Sequence, residues 1–131
     1  MEQAFPHAGS PAPVALVIDD SLVERMLATA ILQKLGFAVI CVASAEQALL
    51  RMAGTRFDLV LCDLCLPDMD GVDLLAAMRT VPQLQRPPCI VLSAHDDGLF
   101  AQAALRAGAS AYLVKPLQLA TLRSALETLS R

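Results

Sequence analysis

Aromatic side chains are scarce in this chain: one Tyr, four Phe and no Trp among 131 residues. A core cannot be built on large rings and must come from Leu, Val, Ile and Ala, which suits a sheet covered on both faces by helices. No apolar run approaches the roughly 20 residues needed to span a membrane. The N-terminus has neither the basic start nor the apolar segment of a secretion signal. The arginines are scattered and the formal net charge is −3, so no basic stripe exists for direct contact with nucleic acid. Neither G-x-x-x-x-G-K-[ST] nor G-x-G-x-x-G occurs, so use of ATP is not supported. Cys62 and Cys65 have C-x-x-C spacing, but no second pair and no nearby His supports a metal or redox reading. With Cys41 and Cys89 they lie mostly in apolar runs and read as small buried hydrophobes. Reduced thiols and the missing secretion signal point to the cytoplasm.

Apolar residues are abundant by contrast. They make up 56% of the chain, and the mean hydropathy is +0.55. The length fits one domain with one ordinary core. That many apolar residues exceed what such a core hides, which implies an exposed contact surface.

Residues 1–13 carry Pro6, Gly9, Pro11 and Pro13 without periodicity and read as a flexible tail; the domain occupies 14–131. Val14–Ile18 is an apolar run of strand length that ends on Asp19-Asp20-Ser21. Ser21 or Asp20 can cap a helix in which Val23, Leu27, Ala30, Ile31 and Leu35 recur, closed by Gly36. A strand over Phe37–Val42 and a helix over Ala45–Met52, capped by Ser44, come next. The run Leu59–Cys62 ends on Asp63, and a Pro67-Asp68-Met69-Asp70-Gly71 turn leads to a helix from Val72 to about Thr80. Strand Cys89–Leu92 ends on Ser93, a helix spans Asp96 to Ala107, and strand Ala111–Val114 ends on Lys115-Pro116. A last helix covers Leu117–Leu129. Five strand–helix repeats predict a parallel sheet with right-handed crossovers.

Ligands of such sheets bind at the carboxyl ends of the strands. The polar groups brought to that edge are Asp19, Asp20, Asp63, Ser93 and Lys115. Carboxylates gathered there need a cation. Mg²⁺ takes one or two of them, keeps waters and leaves room for phosphate oxygens. Lys115 is a mobile point charge suited to a phosphoryl oxygen, and Ser93 offers a hydroxyl. Together these groups can accept a phosphoryl group on Asp63, with metal and lysine offsetting the charge that develops.

An acidic pair after the first strand, D-x-x-x-P-x-x-D-G from Asp63, S-A at Ser93 and G-A-x-x-Y-L-x-K-P ending at Pro116 resemble a response-regulator receiver domain of two-component signalling, over about residues 14–130. The resemblance implies a CheY-like, flavodoxin-like α/β fold, (βα)5, with strand order 2-1-3-4-5, which is also the order of a worked example among doubly wound folds. It implies Asp63 as phosphoacceptor. It implies Asp19, Asp20, Asp63 and the backbone carbonyl of Cys65 as Mg²⁺ ligands. Ser93 would be the switch hydroxyl, Lys115 the phosphate-pairing lysine and Tyr112 the switch aromatic. The resemblance also implies that the Lys115–Pro116 bond is cis, a form that X–Pro bonds alone adopt at modest cost. His95 and Cys65 would flank the phosphoryl group and affect its lifetime. Asp68, Asp70 and Gly71 read as turn residues, Gly71 for its backbone freedom.

The implied function is a phosphorylation-controlled switch. A histidine kinase or histidine phosphotransfer protein would donate to Asp63, docking near Leu22, Arg25 and Met26. A reshaped helix 4–strand 5–helix 5 face would then meet a downstream effector protein. The chain would catalyse only its own phosphorylation and dephosphorylation. Leu99, Phe100, Leu105, Leu117 and Leu119 are candidates for a homodimer or partner surface. No output domain follows the last helix, so a stand-alone regulator or a piece of a larger protein is expected. Blander readings remain beside these: Asp20 or Ser93 as helix caps, Tyr112 as a strand aromatic, Lys115 as a surface lysine. Two other functions stand as alternatives. One is a phosphorylation-independent pseudo-receiver, a pure interaction module. The other is an Asp-nucleophile phosphatase, whose D-x-D signature is absent from Asp19-Asp20-Ser21.

Overall fold

A computed structural model describes residues 11–80, 87–94 and 98–130. Most of the expected tail, His95 and the expected start of the fourth helix fall outside them. In chain order the elements are β1 (Val14–Ile18), α1 (Leu22–Lys34), β2 (Ala38–Val42), α2 (Ala45–Gly54), β3 (Leu59–Asp63), α3 (Gly71–Thr80), β4 (Cys89–Ser93), α4 (Gly98–Arg106), β5 (Ala111–Val114) and α5 (Leu119–Leu129). All strand pairings are parallel, in the order β2-β1-β3-β4-β5. No described helix is long and apolar enough to cross a membrane.

Side chains alternate across a strand, so each central strand feeds two cores. Leu16, Ile18, Val60, Cys62, Cys89 and Val91 pack in one cluster with Ala48 and Met52 of α2, Leu74 and Met78 of α3 and Ala104 of α4. Ala15, Val17, Leu59, Leu61, Ile90 and Leu92 pack in the other with Ile31 and Leu32 of α1 and Leu122 and Leu126 of α5. Fully burying one such aliphatic side chain contributes about 1.5–3 kcal/mol. The three central strands, buried at nearly every position, therefore anchor the edge where they all end.

Two local expectations change and a third holds. In α1 the buried residues are Ala28, Ile31 and Leu32, whereas Val23, Leu27 and Ala30 are exposed. The apolar residues of this helix cover more than one face, and only part of them meets the sheet. Next, α5 starts at Leu119 after the N-cap residue Gln118. Leu117 thus precedes the cap and shares a core cluster with Leu122, as in a hydrophobic staple. Leu117 is buried and Leu119 half-buried, which removes Leu117 from the candidate partner surface. Finally, α1 ends as its Gly36 predicts. Gly36 has φ 96°, its N–H donates to Gln33 O and that of Phe37 to Leu32 O, both at 3.0 Å, a Schellman closure.

Candidate functional site at the carboxyl edge of the sheet

Asp19 follows β1, Asp63 ends β3, Ser93 ends β4 and Lys115 follows β5. β1, β3 and β4 are neighbours in register, and β5 lies beside β4. Lys115 reaches back across the edge. Its Nζ lies 3.1 Å from Asp19 Oδ2 and 3.2 Å from Asp63 Oδ1. The Lys115–Pro116 bond is cis, and Lys115 N–H donates to Ser93 O at 2.7 Å. Asp19, Asp63 and Ser93 are all buried.

The backbone holds the two acids in place. Asp19 Oδ1 accepts from Ser21 N–H at 2.9 Å, and Arg25 Nη1 donates to Asp19 O at 2.8 Å. Asp63 Oδ1 accepts from Cys65 N–H at 3.3 Å. Behind Asp63 the chain closes on Gly71, whose N–H donates to Leu64 O. A Cβ on Gly71 would lie 2.9 Å from Asp63 O and 3.1 Å from Leu64 Cα. The expected backbone freedom is not the reason for this glycine, since positive φ occurs only at Gly36 and Gly108 among the described residues. Space is the reason: α3 begins against the backbone that carries Asp63.

Burial pushes the carboxyl groups of both Asp63 and Asp19 above the ordinary aspartate range, against the lowering influence of Lys115. Burial alone would lower the Lys115 ammonium, but Glu24, Asp19 and Asp63 outweigh it and hold the group above its usual value. Desolvated carboxylates gathered around one ammonium are under-compensated.

Glu24 is the site residue that the sequence reading misses. Its carboxylate bonds Lys115 Nζ, and its ligand atom groups with those of Asp19 and Asp63 within 4.8 Å. Asp20 is exposed and stands outside that group. Cys65 is exposed, with its backbone bridged to Asp70. Tyr112 is half-buried, pairs with Val91 and packs on the cluster beneath α2, α3 and α4. Ser93 follows Val91 by one alternation and so shares that sheet face.

Asp68 and Asp70 are more than turn residues. Asp68 accepts from the N–H groups of Ala45 and Glu46, at 3.0 and 2.9 Å, and so caps α2 from across the loop. Asp70 Oδ1 accepts from Asp73 N–H at 2.8 Å and caps α3.

A five-stranded doubly wound sheet with buried acids and a lysine converging at its carboxyl edge defines an α/β domain built to handle a charged group there. The sequence model of the response regulator receiver domain matches residues 15–127, and the chain belongs to that family. A probable chemotaxis protein CheY of Rhizobium etli is 34% identical over 113 residues, covering 86% of this chain and 88% of that protein. The sensory/regulatory protein RpfC of Xanthomonas campestris is 38% identical over 117 residues, 88% of this chain but 16% of that protein. Among solved structures, the chemotaxis response regulator CheY4 of Vibrio cholerae superimposes with a TM-score of 0.82 at 28% identity, covering 91% of this chain and 99% of that one.

Proposed function

We propose that residues 14–131 form a phosphorylation-controlled switch in which Asp63 accepts a phosphoryl group. The observation that carries this reading is the convergence of Asp19, Asp63 and Lys115 within 3.2 Å contacts at the carboxyl edge in a chain of this family. The donor is a phosphohistidine on a histidine kinase or phosphotransfer protein. A carboxylate oxygen of Asp63 attacks phosphorus, and the O–P bond forms. The P–N bond breaks, and its electron pair leaves on the imidazole nitrogen, which then takes a proton from water.

The donor set at the edge fits a hard divalent cation, because it offers oxygens and no imidazole. Asp19, Asp20, Asp63 and the carbonyl of Cys65 would hold Mg²⁺. When bound, it supplies positive charge that offsets the charge of the transferring phosphoryl group. The chain's own residues do the rest. Cys65 N–H and Lys115 orient the Asp63 carboxylate. Once the phosphoryl group is in place, Lys115 pairs with one of its oxygens and Ser93 donates its hydroxyl to another. Lys115 is joined to Ser93 through the backbone, so both move together and Tyr112 follows. The α4–β5–α5 face then shifts between two pre-existing conformations.

Exposed Leu22 and Met26 on α1 suit donor docking, and exposed Leu99, Phe100 and Leu105 on α4 suit an effector or a second copy. The free thiols support a reducing compartment, the cytoplasm. The pseudo-receiver reading has no support, because the acids and the lysine are all present.

The test is intact-mass spectrometry after incubation with Mg²⁺ and acetyl phosphate. The parent gains one phosphoryl group; Asp63→Asn, or the parent without Mg²⁺, gains none. No gain in the parent, together with no binding of beryllofluoride, sinks the reading.

A further inference from the structure

Glu24 stands at the third helical position of α1, three residues after its N-cap Ser21. Ser21-Leu22-Val23-Glu24 has the form of a capping box, in which the Glu carboxylate would bond back to the Ser N–H. Only half of that box forms. Ser21 Oγ accepts from Glu24 N–H at 3.3 Å, but Ser21 N–H donates to Asp19 Oδ1 at 2.9 Å. Asp19 has taken over the capping bond. The Glu24 carboxylate is released from its local task and meets Lys115 Nζ instead.

An ammonium has three N–H donors. At Lys115 three carboxylates share it: Asp19, Asp63 and Glu24. Asp19 and Glu24 accept hydrogen bonds from it and Asp63 lies beside it at 3.2 Å, so an incoming phosphoryl oxygen must compete with carboxylates for the ammonium. The side chains of Asp19 and Asp63 are 5% and 11% exposed, and that of Glu24 is 42% exposed. Returning a carboxylate to water is easiest where it is already most hydrated, and Glu24 alone hangs from a flexible stem at the rim. Glu24 therefore occupies the place on the ammonium that an incoming phosphoryl oxygen needs.

We propose that Glu24 is a positioning residue that holds Lys115 in the unphosphorylated chain and competes with the phosphoryl group for it. It thereby sets how readily the chain accepts and keeps that group. This inference rests on the reading of Asp63 as phosphoacceptor. It differs from a role for Glu24 as an additional metal ligand, which its closeness to Asp19 and Asp63 would also allow, and the two roles predict opposite signs.

The test compares the full chain with Glu24→Gln, which keeps the shape of the side chain and removes its charge. Beryllofluoride, a phosphoryl mimic, is titrated at saturating Mg²⁺. The midpoint should fall by about twofold to fivefold, the size expected of a partly exposed ion pair. A second readout needs neither metal nor phosphoryl group: the ¹⁵N-detected ammonium signal of Lys115 in metal-free protein. It should be protected from solvent exchange in the parent and lose that protection in Glu24→Gln. An unchanged midpoint, or an identical Lys115 signal in both proteins, overturns the inference. A raised midpoint assigns Glu24 to the metal and overturns it too. Failure of the parent itself to bind beryllofluoride is the distinct outcome that removes the switch reading, and this inference with it.

Discussion

Asp63 and Asp68 flank one short loop and carry the same side chain, yet their surroundings are opposite. Asp63 is buried beside Asp19, with one shared ammonium and one long N–H bond as compensation, and burial raises its carboxyl. Asp68 is exposed, and the N–H groups of Ala45 and Glu46 at the start of α2 hold its carboxyl below the usual range. Two backbone donors at a helix N-terminus are a full partner for a carboxylate. With Asp63 as the proposed phosphoacceptor, the difference separates reactivity from architecture. A carboxylate left under-compensated keeps a use for a cation and an electrophile, whereas a compensated one ties elements together.

The largest expected effect breaks this comparison outright. Asp63→Asn abolishes phosphoryl acceptance from acetyl phosphate, while Asp68→Asn leaves it intact, both read by intact mass. Labelling of Asp68 instead of Asp63 would invert the assignment. Next in size is the response to metal. If Asp19 and Asp63 are the under-compensated pair, Mg²⁺ at a hundredfold its Kd stabilises the fold by about 2.7 kcal/mol. A thermal melt with and without Mg²⁺ measures this, and Asp19→Asn should lose most of the gain. An equal gain in that variant would place the ion elsewhere. Smaller again is Gly71→Ala. Its Cβ would press on Asp63 O at 2.9 Å and Leu64 Cα at 3.1 Å, both backbone atoms that cannot swing aside. Overpacking of that kind costs about 1–3 kcal/mol, read by urea denaturation, and it should slow phosphorylation because the strained segment carries Asp63.

The same contrast explains what could be read from the chain without its structure. All five strands and their parallel pairing follow from continuous apolar runs alternating with helices, because a sheet covered on both faces leaves that mark on every strand, whereas the order 2-1-3-4-5 comes from the family resemblance. Asp63 ends such a run and Asp19 and Lys115 each follow one directly, so the edge site is written in plain view. Glu24 is hidden for two reasons. A local bond to Ser21 explains it in sequence terms, and its real partner Lys115 lies 91 positions away. Asp68 is hidden likewise, because it caps a helix 22 and 23 positions earlier in the chain. Turn chemistry predicts an Asp there without saying whose N–H it meets. The inward face of α1 is ambiguous because apolar residues cover more than one side of that helix, and only the packed sheet selects Ala28, Ile31 and Leu32.

The smallest expected effect concerns Asp68 alone and sharpens the comparison by pH. Its folded carboxyl is held below the ordinary aspartate value, first by Ala45 N–H and then by Glu46 N–H. A depressed carboxyl binds fewer protons in the folded than in the unfolded chain, so its stabilisation is fully present above the unfolded value near 3.9. It is lost as pH falls through the lower folded value. Asp68→Asn removes the charge but keeps one acceptor oxygen. The variant should therefore melt a few degrees below the parent at neutral pH. The gap should close as pH falls through the parent's depressed folded value, where that carboxyl is protonated as well. Amide exchange at Ala45 and Glu46 localises the effect, since those two N–H groups lose protection in the variant while the interior of β3 does not. A gap that stays constant down to pH values below the folded carboxyl's titration would mean that Asp68 acts through its shape, and the division between a reactive and a tying carboxylate would then rest on Asp63 alone.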